Sequence, residues 1–254
     1  MKIYTLSEVK ASYEQKRDWE QQFPVSRYVF RPLSFPLTVL ILHFTSSPAA
    51  VAWLGLAVGL AASWLLLKIG TVGPWPGIAG LAIFALLDAV DGNMARTTGA
   101  VTRYGKLLDG ALGKLAEGLY FPALSFGLYS ASHQAFIGFT PLPSTALLLS
   151  GFVALIAMLY SSYIESAYDA LANEAKAGAP PAPDTKIASS RFRGNVLYAV
   201  FINLNAFNVQ VALLALLAVF SCEALFLTFI TAYYLVRLAI IFTHYILKTH
   251  AELG

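Results

Sequence analysis

The sequence predicts an all-α polytopic membrane protein with six transmembrane helices and an N-terminal amphipathic interfacial helix. Three observations predict it. Of the 254 residues, 57% are hydrophobic and only 12% are charged, whereas a soluble domain carries about 25% charged residues. Apolar runs of about 20 residues, the length that crosses a bilayer, recur along the chain. Basic residues gather in alternate connections between these runs. A chain this apolar cannot cover itself with polar side chains, so lipid is its natural solvent.

Residues 1–45 are predicted to form an N-terminal cytoplasmic or interfacial segment. The stretch Ser12–Phe23 mixes charged and aromatic side chains, a composition typical of an amphipathic helix on the membrane surface. Residues 29–44 are apolar but short, and they contain Pro32 and Pro36. Because a full span needs about 20 residues, we expect this run to be interfacial or partly inserted. The alternative is a short seventh span.

Residues 46–250 are predicted to form one membrane domain. Its one long polar connection, 171–195, contains an Ala-, Gly- and Pro-rich stretch that disfavours helix. The six predicted spans are Ala49–Leu67, Trp75–Arg96, Gly105–Tyr129, Ala146–Ala170, Val196–Phe220 and Glu223–Leu247.

The distribution of lysine and arginine predicts the orientation. Six basic residues lie before the first span, and further ones follow the second span, fill the long connection and end the chain. Only Lys68 lies in the connections of the opposite side. Since basic connections stay on the cytoplasmic side, six spans place both chain ends there, with the protein in the cell inner membrane or its equivalent.

Carboxylates occur inside the predicted spans, where a charge costs roughly 2.5–3.5 kcal/mol and marks a candidate functional site. Asp88 and Asp91 share one helical face near the inner end of the second span. Asp109 lies one turn into the third span, and Glu117 two turns further. Alternatively, these carboxylates have no function and are only solvated by water among the lipid headgroups. Carboxylates at one depth repel one another unless a cation lies between them, and an all-oxygen site suits Mg²⁺, Mn²⁺ or Ca²⁺.

Small and basic residues accompany these carboxylates. Gly92 and Gly105 leave room for a ligand or for a close helix. Arg96 offers a guanidinium fork that suits phosphate oxygens. Carboxylates, glycines and this arginine together predict a pyrophosphate-containing substrate at the inner membrane face.

The run from Asp88 to Arg96, followed by Gly105 and Asp109, resembles the signature of the CDP-alcohol phosphotransferases. That pattern is D-x2-D-G-x2-A-R-x8-G-x3-D-x3-D, and seven of its eight fixed positions match here at the right spacing. The resemblance implies transfer of a phosphoalcohol from a CDP-alcohol to an acceptor hydroxyl, with release of CMP. It also implies a role for each motif residue: metal ligands at Asp88, Asp91 and Asp109, nucleotide space at Gly92, Ala95 and Gly105, and phosphate binding at Arg96.

The eighth position of the pattern is Gly113 instead of aspartate. In the family that aspartate helps to hold the second metal and is the proposed base that deprotonates the acceptor. Asp109 and Glu117 remain as the candidate catalytic residues here. Three hypotheses follow from the departure. The protein is an active enzyme whose base is relocated, with Glu117 one turn below Gly113 as candidate. Alternatively it is a pseudoenzyme that binds CDP-alcohol or CMP without turnover, or a one-metal enzyme whose acceptor needs no strong base. Glu117 could equally be a packing carboxylate paired with Lys114.

Candidates for acceptor binding lie in or next to the last three spans. Arg191 and Arg193 precede the fifth span and could bind a phosphate or only anionic lipid headgroups. Arg237 lies deep in the sixth span, where it should face a polar cavity or pair with a carboxylate. Glu165, at the end of the fourth span, would repel a phosphate and tolerate a neutral or cationic acceptor, unless it is only a solvated helix end.

These observations predict a membrane transferase of phospholipid biosynthesis that uses Mg²⁺ or Mn²⁺. Its expected partners are a CDP-alcohol such as CDP-diacylglycerol, an acceptor alcohol, membrane lipids and a second copy of the chain, because the family often forms homodimers. No nucleic-acid partner is expected. A cation-coupled transporter would also need intramembrane carboxylates, but it would place them near the bilayer midplane.

Overall fold

A computed structural model describes residues 4–131, 136–137, 140–141, 144–176 and 196–253. Within these ranges the chain is almost entirely helical, with a π-helical turn at Ser26–Phe30 and a two-stranded antiparallel ribbon, β1 (Phe136–Ile137) and β2 (Thr140–Pro141). The helices are α1 (Leu6–Glu20), α2 (Arg31–Leu42), α3 (Pro48–Leu67), α4 (Ile69–Val72), α5 (Trp75–Thr98), α6 (Arg103–Ser130), α7 (Ser144–Lys176), α8 (Val196–Asn205), α9 (Phe207–Val219) and α10 (Glu223–Leu253).

The N-terminal helix α1 starts six residues earlier than the predicted stretch Ser12–Phe23. Its start is fixed by a capping box, in which the Glu8 amide donates to Thr5 Oγ1 at 3.3 Å and the Thr5 amide donates to Glu8 Oε2 at 2.7 Å. Val9 and Tyr13 are buried in an apolar cluster that joins α1 to α2 and α5. The N-terminal segment therefore packs against the membrane helices.

The two prolines do not break the run 29–44, because the π-helical turn Ser26–Phe30 continues directly into α2, which ends at Leu42. Pro32 lies in the first turn of α2, where an amide donor is not needed, while Pro36 lies inside the helix. The 12 residues of α2 reach about 18 Å at 1.5 Å per residue, well short of the roughly 30 Å apolar layer. Helix α2 is not among the helices of the described residues that are long and apolar enough to cross a membrane.

Four helices in the described ranges are long and apolar enough to span a membrane: Pro48–Leu67, Trp75–Thr98, Thr145–Ala172 and Glu223–Thr249. The pair α8 and α9 would make a fifth span only if counted together, because the two are bent by 87° at Ala206. Helix α6 has 28 residues, but its first half carries several charged side chains. The prediction of an all-α integral membrane protein is confirmed, and the count of six spans is not.

The bend between α8 and α9 corrects the prediction of a single helix over Val196–Phe220. A break at membrane depth frees backbone carbonyls, which need other partners in the absence of water. The Gln210 side-chain amide donates to the Leu204 carbonyl at 2.8 Å, and the Tyr233 hydroxyl donates to the Phe201 carbonyl at 2.8 Å. Side chains from α9 and α10 therefore stabilise the break.

Helices α3, α5 and α6 approach each other closely through small residues. A Cβ atom on Gly59 of α3 would lie 2.8 Å from the Ala116 Cβ of α6, and one on Gly80 of α5 would lie 2.7 Å from the Ala62 Cβ of α3. Both distances are shorter than a van der Waals contact, so these helices need glycine to pack. This close packing brings the acidic parts of α5 and α6 together.

Candidate functional site

A short connection turns the chain from α5 into α6 and places their acidic segments side by side. Gly99 ends α5 in the left-handed conformation, with φ 72°, which glycine adopts without strain. Thr102 caps α6, because its hydroxyl accepts a hydrogen bond from the Gly105 amide at 2.9 Å. Asp109 is thereby held opposite the end of α5, as its spacing from Asp88 and Asp91 predicts.

The three signature aspartates line one small cavity. Asp88 and Asp91 of α5 face Asp109 and Gly113 of α6 across it. The remaining walls are apolar and come mainly from α3 and α5, and they consist of Ala52, Gly55, Phe84 and Leu112. The space suffices for about one water-sized group, such as an ion.

Three carboxyl groups lie close together around this cavity. Asp91 is only 7% exposed, whereas Asp88 and Asp109 lie at the surface. Both neighbours act electrostatically on Asp91. A buried carboxylate close to two others is costly unless a cation compensates it. Among the described residues, no three His, Cys, Asp or Glu side chains form a ready metal site, so binding would draw these oxygens together.

Gly113 occupies a position that faces the carboxylates. A Cβ atom there would lie 4.0 Å from Asp88 Oδ1 and would meet nothing closer. Glu117, one turn later, does not line the cavity, and its Oε2 accepts from Lys114 Nζ at 2.7 Å. The pairing with Lys114 that the sequence suggested is thus present.

The glycine and the arginine of the signature contact each other. A Cβ atom on Gly92 would lie 3.4 Å from Arg96 Nη1 and 3.5 Å from Nη2, so the guanidinium covers the space beside Gly92. Arg96 Nη2 donates to Asn93 Oδ1 at 2.8 Å. Ala95 is half-buried, and the Gly105 amide is engaged by the Thr102 cap. The space that the resemblance assigned to nucleotide is here partly filled by Arg96.

A buried polar network joins the N-terminal segment to this part of the signature. Arg31 Nε donates to both Glu20 oxygens, at 3.0 and 2.8 Å, and Nη1 donates to Asn93 Oδ1 at 3.0 Å. Glu20 is 2% exposed, Arg31 6% and Asn93 0%. This network was not predicted from the sequence. The available signal was the placement of Arg31 within an otherwise apolar run.

The candidate acceptor residues fall into two groups. Arg191 and Arg193 lie outside the described residues. Arg237 is 6% exposed, and its Nη2 donates to both oxygens of Glu165 at 2.9 Å. The prediction that Arg237 would pair with a carboxylate is confirmed. Its Nη1 is buried without a hydrogen-bond partner among the described residues.

The signature, its placement across α5 and α6, and the acidic cavity define a class of membrane transferase. Residues 45–179 match the CDP-alcohol phosphatidyltransferase family, and the chain belongs to that family of phospholipid-synthesising transferases.

Individual relatives share a more limited likeness. The chain is 29% identical over 163 residues to the phosphatidylinositol phosphate synthase of Mycobacteroides abscessus, which covers 64% of this chain and 69% of the relative. It is 33% identical over 100 residues to that of Mycobacterium marinum, 39% of this chain and 42% of the relative. For Mycolicibacterium smegmatis the identity is 33% over 112 residues, 42% and 50% of the two chains. The last two matches span half or less of the relative's length.

Solved structures share the fold. The phosphatidylinositol phosphate synthase of Mycobacterium tuberculosis with CDP-DAG bound has a TM-score of 0.55 at 17% identity, over 84% of this chain and 94% of that one. The same enzyme in complex with manganese and citrate gives 0.56 at 17% identity, over 84% and 88%. The relatives named here are all synthases, so the comparisons do not support the pseudoenzyme alternative.

Proposed function

We propose that this protein transfers a substituted phosphate group from a CDP-alcohol, such as CDP-diacylglycerol, to an acceptor alcohol and releases CMP. The observation that carries this proposal is the convergence of Asp88, Asp91 and Asp109 on one cavity between α5 and α6. The donor is supported by the CDP-DAG complex of the M. tuberculosis enzyme. The basic residues of the N-terminal segment and of the connection after α5 support an active site that faces the cytoplasm.

The residues around the cavity fit a divalent cation. All three polar groups are carboxylates, which suit Mg²⁺ or Mn²⁺, and the burial of Asp91 among like charges favours a cation. The manganese complex of the M. tuberculosis enzyme is a parallel case. Asp88, Asp91 and Asp109 would hold the ion, which would neutralise the diphosphate and stabilise the leaving CMP.

The reaction joins the acceptor oxygen to the β-phosphorus of the donor and breaks the bond between that phosphorus and the oxygen that leaves with CMP. Arg96 is positioned to bind phosphate oxygen, and Ala95 and Gly105 border the nucleotide space. The acceptor hydroxyl must lose a proton. The candidates for this role are Glu117, one turn from Gly113, and Asp109, which lines the cavity and could accept the proton only with an oxygen that does not hold the ion. Glu117 would first have to break its ion pair with Lys114.

Two different acceptors are consistent with the acceptor side. The names of the relatives make an inositol phosphate the first one to test, and Arg191, Arg193 and Arg237 are the candidate phosphate ligands. Glu165 occupies one side of the Arg237 guanidinium and favours an uncharged acceptor such as free inositol.

We also infer that residues 1–45 form the interfacial segment, that 46–250 form the membrane domain, and that the protein is a homodimer.

The first experiment measures Mg²⁺- or Mn²⁺-dependent CMP release by the purified protein. Donors are CDP-diacylglycerol and small CDP-alcohols, each with inositol phosphate or free inositol as acceptor. We expect release by the native protein and none by Asp88→Ala. Lys68→Ala, on the opposite side of the membrane, is the matched surface control and should keep the native rate.

The variants at position 113 and at Glu117 separate the remaining hypotheses. Gly113→Asp should release CMP faster, and Glu117→Gln should lower the rate if Glu117 is the base, by about 10²–10⁴-fold. No CMP release from either the native protein or Gly113→Asp, together with no CMP binding, would contradict the proposed function.

A further inference from the structure

We propose that Arg31, anchored by Glu20, is a positioning residue that sets the place of Arg96 through the side chain of Asn93. This inference rests on the proposed function, because it assigns Arg96 to the phosphates of the donor. It adds the interfacial helices α1 and α2 to the parts of the chain that shape the donor site.

The orientation of the Asn93 amide is fixed from α2. Asn93 Nδ2 donates to Ser34 Oγ at 3.0 Å and to Thr38 Oγ1 at 3.3 Å. Both hydroxyls donate their own protons to α2 carbonyls, at 3.0 Å from Ser34 and 2.7 Å from Thr38. They can therefore only accept from Asn93. The amide nitrogen must point to α2, and Oδ1 must point to the arginines.

The oxygen of Asn93 then holds two guanidinium groups. Arg31 Nη1 donates to it at 3.0 Å and Arg96 Nη2 at 2.8 Å. The two guanidinium groups repel each other because both are positively charged. Arg31 nevertheless stays beside Oδ1, because it is hydrogen-bonded to the carboxylate of Glu20 and to the Ala89 carbonyl, 3.3 Å from Nη1. Arg31 thus occupies one side of Oδ1, and Arg96 is confined to the other side, over Gly92.

The charges of the network leave a binding capacity for an anion. Glu20 pairs with Arg31, and Asp91 acts on Arg96 only electrostatically, so among the described residues no carboxylate is hydrogen-bonded to the Arg96 guanidinium. Arg96 Nε is buried and has no hydrogen-bond partner among the described residues. A donor phosphate would compensate the charge of Arg96 and accept from its free face.

The test is a double-mutant cycle on binding. Arg31→Lys keeps the charge but cannot reach Glu20, Asn93 and the Ala89 carbonyl at once, because an ammonium group lacks the planar fork. Binding of CMP in the presence of Mn²⁺ is measured by calorimetry for the full-length native protein, Arg31→Lys, Arg96→Lys and the double variant. Arg17→Lys is the matched control, since Arg17 pairs with Glu14 at an exposed position of α1.

We expect Arg31→Lys to raise the Kd for CMP about tenfold, Arg17→Lys to leave it unchanged, and the double variant to bind no worse than Arg96→Lys alone. With CDP-diacylglycerol, Arg31→Lys should raise the donor KM and change kcat little. A purely structural role of Arg31 would lower the melting temperature without this coupling, because independent effects on affinity multiply.

A second variant tests the same inference if Arg31→Lys does not fold. Ser34→Ala removes one hydroxyl that orients Asn93 and should raise the Kd for CMP about threefold. Two results would overturn this inference and leave the proposed function standing. One is a native-like affinity for CMP in folded Arg31→Lys and Ser34→Ala. The other is a double variant in which the effects of Arg31→Lys and Arg96→Lys on the Kd multiply. Absence of CMP binding and of CMP release in the native protein would instead overturn the proposed function, and the inference with it.

Discussion

Two faces of helix α5 carry polar groups, and they differ in which charges surround them. One face presents Asp88 and Asp91 to α6, where Asp109 adds a third negative charge around one cavity. The other presents Asn93 and Arg96 to the N-terminal helices. There the amide oxygen and the amide nitrogen of Asn93 each have two hydrogen-bond partners within the protein.

Under the proposed function, the first face would bind the metal ion, and the second face holds Arg96 in place for the donor phosphates. Like charges around a cavity destabilise the folded protein unless a cation compensates them, whereas a connected network with paired charges fixes the positions of its members. We therefore expect substitutions on the first face to remove function while relieving repulsion. Substitutions on the second should cost stability.

Asp91→Asn tests the first face and should have the largest effect. Loss of a buried ligand should reduce CMP release by about 10³-fold or more, since several kcal/mol of stabilisation by the metal ion are removed. Without divalent cations the same variant should melt at a higher temperature than the native protein, because a buried ionisable carboxyl group beside two others is replaced by a neutral amide. Rate and thermal unfolding are measured on the same preparation. A lower melting temperature would contradict the assignment of repulsion to this face.

Glu20→Gln tests the second face. It leaves the Arg31 guanidinium buried without its counter-charge, and breaking such a pair costs roughly 3–5 kcal/mol. The apparent melting temperature should fall by several degrees. Glu14→Gln is the control on the same helix: its pair with Arg17 is exposed, at 57% and 53%, so its loss should be small. Equal effects of both substitutions would mean that the buried network adds no stability.

Substitutions of Gly113 sharpen the comparison by adding to the first face. Gly113→Asp places a fourth carboxylate toward Asp88 and should lower stability without metal while increasing the stabilisation by Mn²⁺. A ligand at 100 times its Kd contributes about 2.7 kcal/mol. Gly113→Ala is the steric control and should fold normally, because its Cβ has space. Thermal unfolding with and without Mn²⁺ separates the two variants.

The smallest expected effect concerns Tyr13, which joins the second face through a 2.8 Å hydrogen bond to Glu20. Burial, followed by this hydrogen bond and the charge of Glu20, raises the pKa of Tyr13 from 10.0 to about 12. A raised pKa means that the unfolded chain loses the proton first, so this contribution is complete below about pH 10 and is lost as the pH rises toward 12. Melting temperatures of the native protein should fall over this interval more steeply than those of Tyr13→Phe. Parallel curves would show that Tyr13 does not titrate in this way.

Local sequence patterns determine most helix boundaries. Helix α3 starts within one residue of its predicted start and ends where predicted, since the apolar run and the Ser47–Pro48 start are both local signals. The capping box at Thr5 is also a local signal, and it predicts the start of α1 at Leu6 better than the mixed composition of Ser12–Phe23 does. The signature likewise places Asp88, Asp91 and Asp109 around one cavity, because its spacing fits two antiparallel helices joined by a short turn.

The break at Ala206 and the partners of the arginines were beyond local patterns. Residues 196–220 contain no proline or glycine that would mark a break, and Gln210 and Tyr233 supply hydrogen bonds to carbonyls of α8 next to the bend. Arg96 folds back over Gly92 because Asn93 holds it there, and Asn93 occupies a position that the signature leaves open.

The sequence by itself determined the membrane class, the helical fold, the family signature and its missing aspartate, because hydropathy, basic-residue distribution and motif spacing are properties of short segments. Only the tertiary structure decided that Glu20 pairs with Arg31, that Arg237 pairs with Glu165, and that α8 and α9 bend. Each of these depends on groups from distant parts of the chain meeting where water is scarce, and there a polar group takes whichever partner the packing supplies.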